Sequence, residues 1–91
     1  MRPKVALGRV FTTPGVREVI QASHVDLGQY VRRHERGDWG DLDADDKVAN
    51  DQAMHTGGRL LSAYHLPEQL VIWIITEADR TVTTCLLPEE Y

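Results

Sequence analysis

The chain has 91 residues, a formal net charge of −4 and a single cysteine. That length bounds it to one domain spanning residues 1–91 with one modest core, and the lone Cys85 excludes an internal disulfide. No apolar run reaches membrane-spanning length and the amino terminus lacks a signal-peptide core, so a soluble cytoplasmic domain of bacterial type is expected. Charge is segregated along the chain. Up to Arg36 seven basic residues face three acids, a net of +4, whereas from Gly37 onward three basic residues face eleven acids, a net of −8. Nucleic-acid binding needs a basic face, which only the first third could supply, and the acidic remainder argues against a conventional DNA binder.

"KVALGRVF", Lys4 to Phe11, alternates Val5, Leu7 and Phe11 with smaller or polar residues and reads as a short strand or extended arm. Thr13 then offers an N-cap with Pro14 at the first helical position, and Val16, Val19 and Ile20 form one face of a first helix. A second helix starts at Asp26, with Gln29 placed for a capping box, and carries Leu27, Tyr30, Val31 and His34 on its apolar side. Gly37 ends it. In "GDWGDLDADD", Asp41 or Asp43 caps a third helix over Ala44 to Thr56. Asp45 and Asp46 fall in its first turn, where carboxylates suit the macrodipole. Ala44, Val48, Ala49 and Ala53, with Met54 nearby, are its expected inner face, and Trp39 and Leu42 are expected to fold back as loop anchors.

The period then changes. "RLLSAYHL", "LVIWIIT" and "TVTTCLL" are strand-like runs joined by "PEQ" and "EADR", both short enough for hairpins. The unalternating middle run predicts a central strand covered on both faces. The fold class expected is α+β: about three helices packed on a three- to four-stranded antiparallel sheet, the strands forming a carboxy-terminal meander.

Asp41, Asp43 and Asp45 have the spacing that begins a calcium loop. Asp46 stands where that loop needs glycine, and Gln52 where it needs a bidentate glutamate. His24, His34, His55 and His65 match no compact zinc pattern. No metal or other cofactor is expected. Arg59, His65, Glu77 and Arg80 are of the right types for acid–base and phosphate chemistry, and the order of elements is similar in outline to small ribonucleases of the barnase, colicin and RelE type. Glu77 and Arg80 share a hairpin loop, however, and are expected to pair with each other, so no catalytic residue is assigned. The six aspartates from Asp38 to Asp51, with Glu89 and Glu90, raise an acidic surface imitating nucleic-acid charge as a further reading. The binding surface favoured combines Trp39, Arg59, His65, Glu77, Asp79, Arg80 and Thr83 around the last hairpin. Cys85, in an apolar strand pattern, reads as an inert buried thiol.

"GDWGDL", "DDKVAND", "GRLLSAY" and "WIITEADRTVTTCLLPEEY" together resemble a family of short, uncharacterised "plasmid-related" bacterial proteins carried on plasmids and integrated mobile elements. The likeness runs from about Val10 to the end of the chain. It implies a cytoplasmic accessory protein of mobile DNA and transfers no catalytic residues. The reading expected is thus a non-enzymatic protein-binding domain. A homodimer formed by pairing open sheet edges is one form of it, and a small ribonuclease or an acidic inhibitor of host restriction or CRISPR defence is the alternative.

Overall fold

The computed structural model describes residues 5–91, so Lys4, where the first strand was expected to begin, lies outside the described residues. The order of elements is β1 (Arg9–Thr12), α1 (Pro14–Ser23), α2 (Leu27–Glu35), α3 (Ala44–Thr56), β2 (Leu60–Leu66), β3 (Leu70–Thr76) and β4 (Val82–Leu86), with 3-10 turns at Pro67–Gln69 and Pro88–Glu90. The class is α+β. The sheet, in the order β1-β4-β3-β2, is mixed rather than purely antiparallel, because β1 runs parallel to β4. Short hairpins make β2, β3 and β4 antiparallel. Parallel neighbours need a long crossover, and the helical stretch that follows β1 supplies part of it.

β1 is shorter than the alternation indicated. Gly8 has φ +65°, and a Cβ there would strike the Thr81 carbonyl. Extended pairing therefore starts one residue later, where the Arg9 N–H donates to Thr81 O at 2.9 Å. The helix starts follow the caps. The Thr13 hydroxyl accepts from the Val16 N–H, the Asp26 carboxylate from the Gly28 N–H and the Asp43 carboxylate from the Asp46 N–H. Gln29 is exposed and makes no capping box with Asp26. Gly37 and Gly57 take positive φ at the ends of α2 and α3.

Successive strand residues point to opposite sides of a sheet, and here the two sides differ. Tyr64, Leu66, Ile72, Ile74 and Cys85 form one buried cluster with Val16 of α1, flanked by Ile20, Leu27, Tyr30 and Val31. A smaller cluster of Val5, Trp39 and Leu60 takes in Leu42, Ala53 and Met54. Every helix contributes to these clusters on the same side of the sheet. β3 is central in the strand order but is not covered by helices on both faces. Its apolar run arises because the other face, although free of helices among the described residues, is apolar as well.

α3 turns a different side inward from the one its alanines indicated. Ala44, Val48 and Ala49 are exposed, while Asn50 is buried. The Asn50 amide replaces a missing neighbour strand. Its Oδ1 accepts the Leu61 N–H at 3.1 Å and its Nδ2 donates to Leu61 O at 2.6 Å. Two residues further along, the Ala63 N–H donates to Trp39 O and its carbonyl accepts from Asp41 N–H, with Gly40 bridging. At His65 the outward N–H is taken by the Asp41 carboxylate at 2.9 Å. The outer edge of β2 is thus engaged at Leu61, at Ala63 and at the His65 N–H. Asn50→Ala is expected to destabilise the fold by about 1–3 kcal/mol by orphaning the Leu61 groups. A lowered urea midpoint with faster hydrogen exchange at the Leu61 amide would show it.

A candidate binding cleft on the uncovered sheet face

The register places Leu60 opposite Thr76, so the next pair outward is Arg59 and Glu77. By the same alternation Arg59, Leu61, Trp73, Ile75 and Glu77 all emerge on the face without helices. There Arg59 Nε lies 3.5 Å from Glu77 Oε1, and Arg59 Nη1 donates to the Tyr91 hydroxyl at 2.7 Å. The Tyr91 ring meets the Trp73 ring edge-on at 5.6 Å between centroids. Between them Arg59, Leu61, Trp73, Ile75 and Tyr91 enclose a cleft of about 250 Å³, open to solvent.

Tyr91 is held there by its neighbour. The Glu90 carboxylate accepts from the Thr13 hydroxyl at 2.6 Å, the Gly15 N–H at 3.1 Å and the Leu87 N–H at 2.9 Å. These bonds, the Thr13 one foremost, hold the Glu90 carboxyl below its ordinary pKa. They anchor the last turn to the amino end of α1, where an anion is favoured. Arg59 is held firmly charged, chiefly by its bond to Tyr91 and with help from Glu77. Its side chain and that of Glu77 are close to half exposed, so their pairing contributes under about 1 kcal/mol and is readily exchanged for another partner.

Of the residues read from the sequence as one surface, the fold brings together Arg59 and Glu77 and sends the rest elsewhere. Arg80 does not pair with the Glu77 carboxylate. Its Nη1 donates to Gly58 O at 2.6 Å and Glu77 O at 3.0 Å, and its Nη2 to Ala53 O at 3.2 Å, so it ties the end of α3 to the hairpin. Asp79 shapes the same turn by accepting the Thr81 N–H and hydroxyl. His65 pairs with Asp41 at 3.2 Å. Six residues along β2 from Arg59, it is about 20 Å away. Trp39 is a core residue at 3% exposure, its indole N–H donating to Asp51 at 2.9 Å. Thr83 is fully buried and offers no surface hydroxyl.

Thr83 belongs instead to an internal chain of polar groups. Its hydroxyl donates to Leu7 O at 2.7 Å, so it accepts from Thr76 at 2.7 Å. Thr76 in turn accepts from His34 Nε2 at 2.8 Å, leaving His34 Nδ1 bare to accept the Ser62 hydroxyl at 2.5 Å. This one-way order fixes the Nε2–H tautomer. Burial, with Arg80 adding repulsion, pushes the His34 pKa down to about 4. The same burial pushes the Cys85 thiol up to about 11, in keeping with an inert side chain.

The aspartate-rich stretch is largely engaged within the fold. Asp38 binds Arg33, Asp41 holds His65, Asp43 caps α3 and Asp51 receives Trp39. Asp45 and Asp46 occupy the first turn of α3. Among the described residues no cluster of metal-ligating side chains occurs, and no helix is long and apolar enough to cross a membrane.

Trp73, Ile75 and Tyr91 were not read from the sequence as site residues. The first two share parity with Glu77 along β3, a signal that becomes usable once the face without helices is known. Tyr91 carries no periodic signal, since its position depends on the Glu90 clamp. No family model matches the chain, and no curated protein or solved structure matches it.

Proposed function

We propose that the chain is a non-enzymatic binding domain that docks another protein on the uncovered sheet face, with the Arg59–Trp73–Tyr91 cleft as its anchor point. The observation that carries this reading is an apolar cleft with a cation at its rim, on a sheet face that no described helix covers. The guanidinium has five N–H groups, of which one is bonded to Tyr91 while Nε lies 3.5 Å from Glu77, leaving donors for a carboxylate. The partner segment that fits carries one large apolar or aromatic side chain beside an acidic residue. The resemblance to plasmid-related proteins supports reading this role as that of an accessory of mobile DNA in the bacterial cytoplasm.

Selection of peptides from a random display library on the immobilised chain tests the reading. Selected sequences are expected to place an aromatic residue next to Asp or Glu, and Arg59→Ala or Trp73→Ala is expected to weaken their binding at least about tenfold. Both side chains are partly exposed, so the variants should remain folded by circular dichroism. Peptides without acidic character, or binding indifferent to both substitutions, would refute it.

One observation favours a second reading as a ribonuclease. Glu77, Arg59 and Tyr91 join a carboxylate, a guanidinium and a phenol in one connected group. In RNA cleavage Glu77 would accept the 2′-hydroxyl proton, Arg59 stabilise the charged phosphorane and Tyr91 protonate the leaving 5′-oxygen. Release of 2′,3′-cyclic phosphate ends from an RNA oligonucleotide, abolished by Glu77→Gln, would decide for it. His65, tied to Asp41 at the far end of β2, is expected to be dispensable.

A further inference from the structure

We propose that the edge of β1 that the described residues leave open pairs with the same edge of a second copy, giving a two-fold symmetric dimer with a continuous eight-stranded sheet. The two edges of the sheet are treated differently. Along β2 the outward N–H and C=O of Leu61 and of Ala63 and the outward N–H of His65 are taken by Asn50, by the Trp39–Asp41 segment and by the Asp41 carboxylate. Along β1 the Arg9 and Thr13 N–H groups point toward β4, bonding Thr81 O and Cys85 O. The alternation of strand bonding therefore turns the Val10 and Thr12 N–H and C=O groups away from the sheet. No described residue bonds them. The same short strand carries Val10 at 45% and Phe11 at 48% exposure, two of the four large apolar side chains most exposed among the described residues.

An antiparallel pairing centred on Phe11 satisfies all of these groups at once. Val10 of one copy faces Thr12 of the other, and their four N–H and four C=O groups form four hydrogen bonds across the dyad. Phe11 meets Phe11 of the partner in the close, non-hydrogen-bonded position, where aromatic cross-strand pairs are favourable. Arg9 falls opposite Thr13 of the partner, whose hydroxyl holds the Glu90 carboxylate. A cation from each copy thus approaches an anion on the other, twice by symmetry. Arg9 lies near its own Phe11 ring at 5.9 Å, on the same face of the sheet. The registers centred on Val10 or Thr12 bring neither pair of contacts together, and the former runs into Gly8, whose positive φ ends the extended segment.

A pairing of five residues per copy is a small interface, so the dimer is expected to be weak, forming between micromolar and millimolar concentration. β1 lies at the opposite edge of the sheet from the Arg59 cleft, so dimerisation and cleft binding are separable by mutation.

The test is cysteine cross-linking together with sedimentation equilibrium. Paired Phe11 positions put their Cα atoms about 4.5 Å apart, within disulfide reach. The Phe11→Cys variant treated with diamide is expected to give a covalent dimer, and Ala6→Cys, outside the paired segment, to give several-fold less. Wild-type mass is expected to rise toward twice 10.3 kDa, while Phe11→Lys and Val10→Pro hold the chain monomeric at the same concentrations with unchanged circular dichroism. A wild type that stays monomeric to millimolar concentration, a dimer insensitive to both substitutions, or equal cross-linking at the two cysteine positions would overturn it. None of these results depends on whether the Arg59 cleft binds a peptide.

Discussion

Acidification across the window from pH 6.5 down to about 4 is expected to lower the stability of the fold by about 3 kcal/mol through His34 alone. In the unfolded chain the imidazole takes up a proton near its ordinary pKa of 6.5, whereas in the folded chain it resists until about 4. Within that interval the unfolded state holds one proton more, so stability rises with pH there and is flat above it. The cause is geometric. His34 has no exposed surface, and a second N–H at Nδ1 would oppose the hydrogen that Ser62 presents. Ser62 would have to rotate its hydroxyl within a packed core. His34→Gln provides the control, since its amide can accept from Ser62 and donate to Thr76 without titrating. Urea midpoints of the wild type are expected to fall through the window more steeply than those of the variant. Parallel profiles would mean that the imidazole is not held neutral.

The two tryptophans are expected to respond in opposite ways. Trp39→Ala removes an indole at 3% exposure that packs edge-on against His34 at 5.5 Å and anchors the cluster with Val5 and Leu60. The expected loss is about 3–5 kcal/mol, comparable to the whole stability of a domain this small. The loop that closes the β2 edge should loosen with it, because the Trp39 carbonyl and the Asp41 N–H are bonded to Ala63. Trp73→Ala, on the uncovered face, should leave the domain folded and reduce cleft binding. Thermal unfolding followed by circular dichroism separates them: a lost or strongly lowered transition for Trp39→Ala, and a modest shift for Trp73→Ala. The reverse ranking would place the anchoring side chain on the wrong face.

Local signals carried most of the secondary structure. Thr13–Pro14, Asp26, Asp43 and Gly57 mark helix boundaries by side-chain and backbone chemistry that acts within three residues, and "PEQ" and "EADR" fall on the two hairpin connections. Three features depended on distant partners and were not legible. The parallel placement of β1 requires knowing that the chain returns to the far side of β4. The inner side of α3 is set by Asn50 reaching a strand edge eleven residues later, which hydrophobic periodicity ranks below its exposed alanines. The split of the expected surface has the same origin, because charge type does not say where a long side chain goes. Arg80 runs inward to carbonyls of α3 while Arg59 stays at the rim. Thr83, an ordinary strand threonine by sequence, is fixed in the core by a histidine 49 positions earlier through Thr76.

The sealing of β2 by Asn50, Gly40 and Asp41 also limits how large any assembly of this chain can grow. With two bare rims, each added copy would expose another template, and sheets would extend end to end without limit, the route to insoluble fibrils. With one rim capped, association through the other stops after a single step. Opening the cap, as Asn50→Ala begins to do, would turn a self-terminating contact into a propagating one.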